Sequence, residues 1–322
     1  MNNALSPLLL QAQITPPAGG GSFGLADPTR LENPFQGPMW LDEIRFRLPT
    51  ADGKTGFAPW SRLSIELKLG ELPLTRSFVP ISLFGKVLND SVVGGSQLEN
   101  KPPGVFTWKL PKPLYIPARD FLRPTMYFEP YPGITTDQTV TIAYACRPIP
   151  KGTPPPRVLQ LPWVSYFKPP EIAVGSTDQT DQSTPSDLYN PWVQDLHVQR
   201  FIGRLMVTRS DLPSQTFEDD GFMSLASANI NLDTGLPITG TFVSAQDSLN
   251  NILVRDPTPF AHVFDFVDRS WTVNSVLPPK GFYLFTVDRL WSAYASPIPY
   301  TATVGIGMVG WREVQYVQGA LR

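Results

Sequence analysis

Soft metal ligands and neutral-pH bases are scarce in this chain: one cysteine, Cys146, and two histidines, His197 and His262, among 322 residues. A zinc site wants three or four His, Cys or carboxylate ligands at fixed spacing, and these three lie far apart in sequence. Each histidine reads as a residue of a strand. Cys146 ends an alternating run in which Val140, Ile142 and Tyr144 share its parity, the place of a small buried hydrophobe, not of an activated thiolate. Carboxylates cluster at Glu218-Asp219-Asp220 and at Asp42-Glu43. Glycoside hydrolysis needs two carboxyls about 5–9 Å apart, but Asp219-Asp220-Gly221 has the chemistry of a turn before a strand at Phe222. A calcium loop would show Asp-x-Asp-x-Asp, which is missing. Gly94-Gly95 and Gly19-Gly20-Gly21 read as loop or hinge glycines. Trp163, Tyr166, Phe167, Trp291 and Tyr294 could stack on sugars, yet core or subunit-interface positions account for them better. The residues therefore predict no catalytic set, no bound metal and no cofactor.

The elements that would hold these residues are strands. Proline is abundant, 36 residues, roughly twice the usual ~5% share. It removes a ladder donor and breaks helix interiors, so spread through alternating sequence it marks many short strands joined by fixed turns. The 8 Trp, 10 Tyr and 19 Phe supply core material, which argues against disorder. Net charge is -2 with no basic run, so neutralisation of nucleic-acid phosphates is not expected. The charged fraction, 17%, is low against a typical ~25%, as for a surface covered by partner subunits. With one cysteine no intrachain disulfide can form, which fits folding in a reducing compartment. No run of ~18 apolar residues spans a membrane, and Met1 to Gln13 is a poor signal peptide.

Two copies of one pattern follow each other at a spacing of about 160 residues. Asn33-Pro34-Phe35 leads into Glu43–Leu48, and Asn190-Pro191-Trp192 leads into Arg200–Leu205. Leu63, Ile65, Leu67 and Leu69 alternate with Arg62, Ser64, Glu66 and Lys68, as a half-buried strand requires, with Phe222–Leu232 as the counterpart. Phe78-Val79 matches Phe242-Val243, and Leu88-Asn89-Asp90 matches Leu249-Asn250-Asn251. A short helix is expected between them, with Leu83, Phe84, Val87 and Leu88 on its face in one copy. In the other, Leu249, Ile252 and Leu253 share the face, and Ser244 with Asp247 caps it. Phe106-Thr107-Trp108 is echoed by Phe264-Asp265-Phe266, Tyr127-Phe128 by Tyr283-Leu284, and Thr139–Cys146 by Thr301–Met308. The predicted organisation is an arm at residues 1–30, a first β-unit at 31–150, a Pro-rich linker at 151–189, and a second β-unit with C-terminal tail at 190–322. About eight short strands per unit suit a jelly roll, though spacing leaves other Greek-key sandwiches open.

The tandem units, the Asn-Pro-aromatic openings at Asn33 and Asn190, the short N-terminal segment and the lack of disulfides resemble the double jelly-roll major capsid proteins of the PRD1–adenovirus lineage. The smaller members, from tailless bacteriophages with an internal membrane, are similar in size. The resemblance covers about residues 31–315 and implies an all-β fold of two tandem eight-stranded jelly-roll sandwiches with short helices in loops. It further implies a non-enzymatic structural role. Three chains would form a homotrimer of six jelly rolls that tiles an icosahedral virion shell, made in the host cytoplasm. Its partners would be itself, neighbouring capsomers, penton or minor capsid proteins and an internal membrane. In such a shell Leu8, Leu9, Leu10 and Ile14 would touch the membrane or a neighbouring subunit. Two rival readings are a glycan- or receptor-binding β-sandwich of a minor virion protein, and a double jelly-roll glycan amidase. The amidase reading calls for an acidic pair in the inter-domain cleft.

Overall fold

The computed structural model describes residues 8–15, 19–47, 63–84, 105–129, 139–209, 216–218, 229–230, 237–264, 269–294 and 300–316. The first unit contains β1 (Leu8–Ile14), β2 (Gly21–Gly24), β3 (Met39–Arg47), β4 (Leu63–Leu69), β5 (Leu72–Pro73), β6 (Val79–Pro80), β7 (Val105–Ile116), β8 (Leu122–Phe128) and β9 (Val140–Pro148). The second contains β10 (Val158–Phe167), β11 (Ile172–Ala173), β12 (Gln179–Gln182), β13 (Leu188–Tyr189), β14 (Leu196–Arg209), β15 (Thr216–Glu218), β16 (Asn229–Ile230) and β17 (Pro237–Asp247). Then come β18 (Ile252–Pro259), the one-turn helix α1 (Phe260–Val263), β19 (Ser270–Leu277), β20 (Phe282–Leu290) and β21 (Tyr300–Gln315).

In the first unit one sheet runs β1-β9-β3-β7 and the other β2-β8-β4-β5, with β6 continuing β5 along the edge of β4. Numbered along the chain, the strands alternate between the sheets except where β4 turns back into β5 and β6. That crossing pattern is the jelly roll. The second unit repeats it: β10-β21-β14-β19 in one sheet, β12-β20-β17-β18 in the other, all antiparallel. Within each sandwich, period-2 alternation turns one face of each sheet inward. Leu63, Ile65, Leu67 and Leu69 on β4 are buried against Ile44 and Phe46 on β3 and against Ile142 and Tyr144 on β9.

Two segments differ from the expected organisation. The predicted arm supplies two strands: β1 pairs with β9 from Leu8↔Cys146 to Ile14↔Val140, and β2 pairs with β8. Its residues Leu10, Ala12 and Ile14 alternate into the core, so the arm and first unit are one body. The predicted linker likewise supplies β10 to β13. Leu161, Trp163 and Phe167 are buried there, and β10 pairs with β21 over ten residues, Val158↔Gln315 to Phe167↔Ile306. The shortest of these strands, β2, β11, β12 and β13, have two to four residues and carry too few alternating positions to show in the sequence.

The register also corrects the internal alignment. Strand β4 pairs with β8 as β17 pairs with β20, so Ser64-Ile65, not Phe78-Val79, is matched by Phe242-Val243. Most of Phe222–Leu232 lies outside the described residues, as do Asp265-Phe266 and Val87–Asp90. The counterpart of β7 is β19, and Phe264 closes α1 instead. No helix covers Leu249–Leu253: Asp247 Oδ1 accepts from the N–H groups of Leu249 and Asn251, 2.9 and 2.8 Å, making a turn that enters β18. The short helices begin later, after equivalent prolines: the 3-10 turn Ile81–Phe84 after Pro80, and α1 after Pro259.

Candidate assembly surface

The two Asn-Pro-aromatic segments build the same corner twice. Asn33 is buried and its Nδ2 donates to the carbonyls of Gly37 (3.0 Å), Ile116 (3.4 Å) and Pro117 (3.0 Å), while Oδ1 accepts from Phe35 N–H at 2.9 Å. Asn190, also buried, donates to Gln194 (2.8 Å), Leu277 (3.0 Å) and Pro278 (3.1 Å), and Oδ1 accepts from Trp192 N–H at 3.1 Å. The backbone N–H of each asparagine bonds the turn after β7 or β19: Asn33 to Asp120 O and Asn190 to Gly281 O, both at 2.9 Å. These turns are alike, with Arg119 (φ 59°) and Lys280 (φ 61°) both in the left-handed region. A side-chain amide has two N–H donors, here shared among three carbonyls, and an oxygen that accepts from one backbone N–H, all at a single buried site. The motif is thus a structural staple of each sandwich. A further pair of matched features is the bulge at Asp42 on β3 and at Gln199 on β14.

The two sandwiches are joined side by side. Leu74 O accepts from Val164 N–H at 3.0 Å, and Val164 O accepts from Arg76 N–H at 2.7 Å, so Thr75 and Val164 form a parallel bridge. Arg76 also pairs with Asp187 at 3.2 Å. The outward face of the β10-β21-β14 sheet, with Val164, Ile202 and Val309, is part of the same apolar cluster as the core of the first sandwich. Gly307 lies under Leu83: a Cβ there would stand 2.9 Å from both Leu83 methyls. Gly305 similarly lies under the Tyr166 ring, and a Cβ at Gly310 would stand 2.5 Å from His197 O. Lys112 of the first unit sits 5.2 Å from the Trp311 ring, and Tyr115 meets Tyr316 edge-on at 5.5 Å. The joint is apolar at its centre and polar or aromatic at its rim, the anatomy of a subunit interface.

The residues singled out for chemistry disperse. Cys146 is buried on the face of Val140, Ile142 and Tyr144, and burial, then Asp42, pushes its thiol up to about 12. His197 stacks on Trp311 at 4.1 Å; His262 is exposed in α1, not in a strand. Asp42 is held by Arg147 (2.6 Å) and Glu43 by Arg45 (2.9 Å). Glu218 ends β15, while Asp219 and Asp220 lie outside the described residues. Trp163, Phe167 and Trp291 are buried in the second core, where Trp291 Nε1 donates to Thr241 at 3.1 Å. Tyr166 and Tyr294 pack against these cores. No stacking platform for a sugar arises from them. The cleft of ≈ 410 Å³ beside the joint, lined by Phe78, Tyr127 and Tyr166, has one carboxylate, Glu129, and that faces Lys168 at 3.7 Å. The acidic pair an amidase calls for is not in this cleft. Among the described residues no group of three His, Cys, Asp or Glu side chains is placed to hold a metal, and no helix is long and apolar enough to cross a membrane.

Leu8, Leu9, Leu10 and Ile14 part company. Leu10 and Ile14 are core residues and Leu8 packs against the core, whereas Leu9 is 52% exposed. Contact with a membrane or neighbour is thereby withdrawn for Leu10 and Ile14, because the alternation of β1 turns them inward.

Two spellings that sequence reading passes over are also resolved by context. Residues 19–24 read Gly-Gly-Gly-Ser-Phe-Gly, which satisfies both a nucleophile elbow and a phosphate-binding glycine loop. Either would need a strand, a tight turn and a helix, but Gly21–Gly24 is strand β2. Gly305, Gly307 and Gly310 repeat the phosphate-loop spelling inside the unbroken strand β21, where they admit neighbouring side chains and backbone.

No protein-family model and no curated protein matches the chain. Solved structures do align with it along nearly the whole length. The major capsid protein P2 from bacteriophage PM2 is 10% identical, covers 98% of this chain and 99% of its own, with a TM-score of 0.41. The STIV MCP is 11% identical, with 98% and 99% covered and a TM-score of 0.46. The structure of the Sputnik virophage is 10% identical, with 98% and 89% covered and a TM-score of 0.31. What fixes the fold of this chain as a double jelly roll is its own strand order, twice repeated, with matched corners and bulges.

Proposed function

We propose that this chain is a non-enzymatic shell protein, the major capsid protein of an icosahedral virion, and that three copies form a tile of six sandwiches. The observation that carries this reading is the joint: two sandwiches of one topology are packed side by side through a buried apolar contact. A chain so built brings two similar blocks in a fixed mutual orientation, and three chains supply six blocks for a six-fold lattice position. Head-to-tail contacts of this kind close into rings when the rotation permits. An obligate contact of this type buries upwards of ~2,000 Å². Neighbouring tiles, penton or minor proteins, and an internal membrane are the further partners of such a shell. Light scattering coupled to size-exclusion chromatography tests the reading. A mass three times the 35.7 kDa chain, or closed shells, is the expected outcome. A monomer at every concentration would overturn it.

A further inference from the structure

The intrachain joint has two halves, and each half has an equivalent elsewhere in the molecule that makes no such bridge among the described residues. One half is Val164 on edge strand β10. Its equivalent in the first sandwich follows from register. Val164 pairs with Val309, which pairs with Arg200, the residue after the Gln199 bulge. Leu9 pairs with Ala145, which pairs with Glu43, the residue after the Asp42 bulge. Leu9 on edge strand β1 therefore stands where Val164 stands. Val164 is 0% exposed under the Leu74–Arg76 segment, and Leu9 is 52% exposed.

The other half is Leu74-Thr75-Arg76. Pro73 pairs with Lys68 as Ile252 pairs with Gln246, and Val79 pairs with Ile65 as Thr258 pairs with Val243. Equal numbers of residues separate these anchors, so the equivalent segment is Leu253-Val254-Arg255 on β18. Leu74 is 0% exposed, whereas Leu253 is 36% and its neighbour Ile252 61% exposed. Outward of Leu9 the sheet carries Ala143, which pairs with Gln11 and Arg45 as Gly307 pairs with Tyr166 and Ile202. Gly307 is the seat of Leu83, and a small residue recurs at its equivalent.

From these pairs we infer that the Leu9 edge of one chain docks the Leu253–Arg255 segment of a second copy, repeating between chains the parallel bridge that Thr75 and Val164 make within one. The occupant is a second copy because its β18 is the segment that continues the established joint. Edge strands with open backbone groups are suited to such strand addition. This contact rests on the shell reading and supplies its interface.

The test is a double variant, Leu9→Cys with Leu253→Cys, treated with a short thiol cross-linker and run on a denaturing gel. The buried Cys146 does not compete. Cross-linked multimers at least tenfold above either single variant are expected. Leu9→Arg and Leu253→Arg, both at exposed positions, should each raise the concentration needed for association by about tenfold or more. Oligomers that persist by light scattering without cross-linking, and that tolerate both arginines, would overturn the contact while leaving the shell reading intact. A chain that is monomeric throughout would overturn both.

Discussion

Strands β9 and β21 hold the same place in their sandwiches, yet their surroundings differ. Strand β21 is buried without interruption from Ala302 to Gly310, because its own sandwich covers one face and the first sandwich covers the other. Strand β9 has one face in the core, with Val140, Ile142, Tyr144 and Cys146 inward; on its outer face Thr141 and Ala145 are half-exposed, and Ala143 is buried but outside the apolar cluster. The residues follow the burial. Outward positions of β21 are Gly305 under Tyr166, Gly307 under Leu83, and Val309 in the first sandwich's apolar cluster, while those of β9 are Thr141, Ala143 and Ala145. A two-sided strand reads as a continuous apolar and small-residue run, a one-sided strand as an alternation. The difference measures what the joint adds to an otherwise repeated design.

That comparison can be broken most sharply at its closest contact. Gly307→Val must push Leu83 aside and should cost about 3 kcal/mol in urea denaturation, whereas Ala143→Val at the equivalent site should cost less than ~1 kcal/mol. Equal losses would mean that the faces are not differently packed. Next come the corners, where the sandwiches are predicted to respond alike. Asn33→Ala and Asn190→Ala each strip one buried and two part-buried carbonyls of their donor and should each cost about 1–3 kcal/mol. A neutral outcome at either would remove the staple role. Arg76→Ala takes away one part-buried ion pair across the joint and should cost at most about 1 kcal/mol. The smallest effect concerns reactivity. With its thiol pushed up to about 12 by burial, Cys146 carries almost no thiolate at pH 8, so a thiol reagent should label it only after denaturation. Rapid labelling of the folded chain would contradict the packing of β9 into the core.

Much of this design was legible in the residues because it rests on local pattern. The alternation at Leu63–Leu69 and the parity of Cys146 with Val140, Ile142 and Tyr144 are period-2 signals that survive without tertiary context. The Asn-Pro-aromatic openings marked real corners, though nothing local shows that the asparagine amide reaches carbonyls beyond β7 and β19. The first and third segments, residues 1–30 and 151–189, misled because β2, β11, β12 and β13 are only two to four residues long. Such strands exist through pairing with distant partners, which short-range periodicity does not carry. The start of strand β18 is hidden for a related reason: Leu249, Ile252 and Leu253 have helical spacing, but Leu249 lies in the turn and Ile252 and Leu253 are exposed on the strand. The docking surfaces at Leu9 and Leu253 were invisible for the deepest reason. They are recognised by comparing burial at equivalent positions, and equivalence needs the register of both sheets.

Negative-stain electron microscopy of the assembled protein is the most direct test of the claim that each chain contributes two like blocks to one tile. Class averages with six similar densities around a centre are predicted. Particles with two densities, or oligomers whose densities do not number two per chain in a ring, would contradict it.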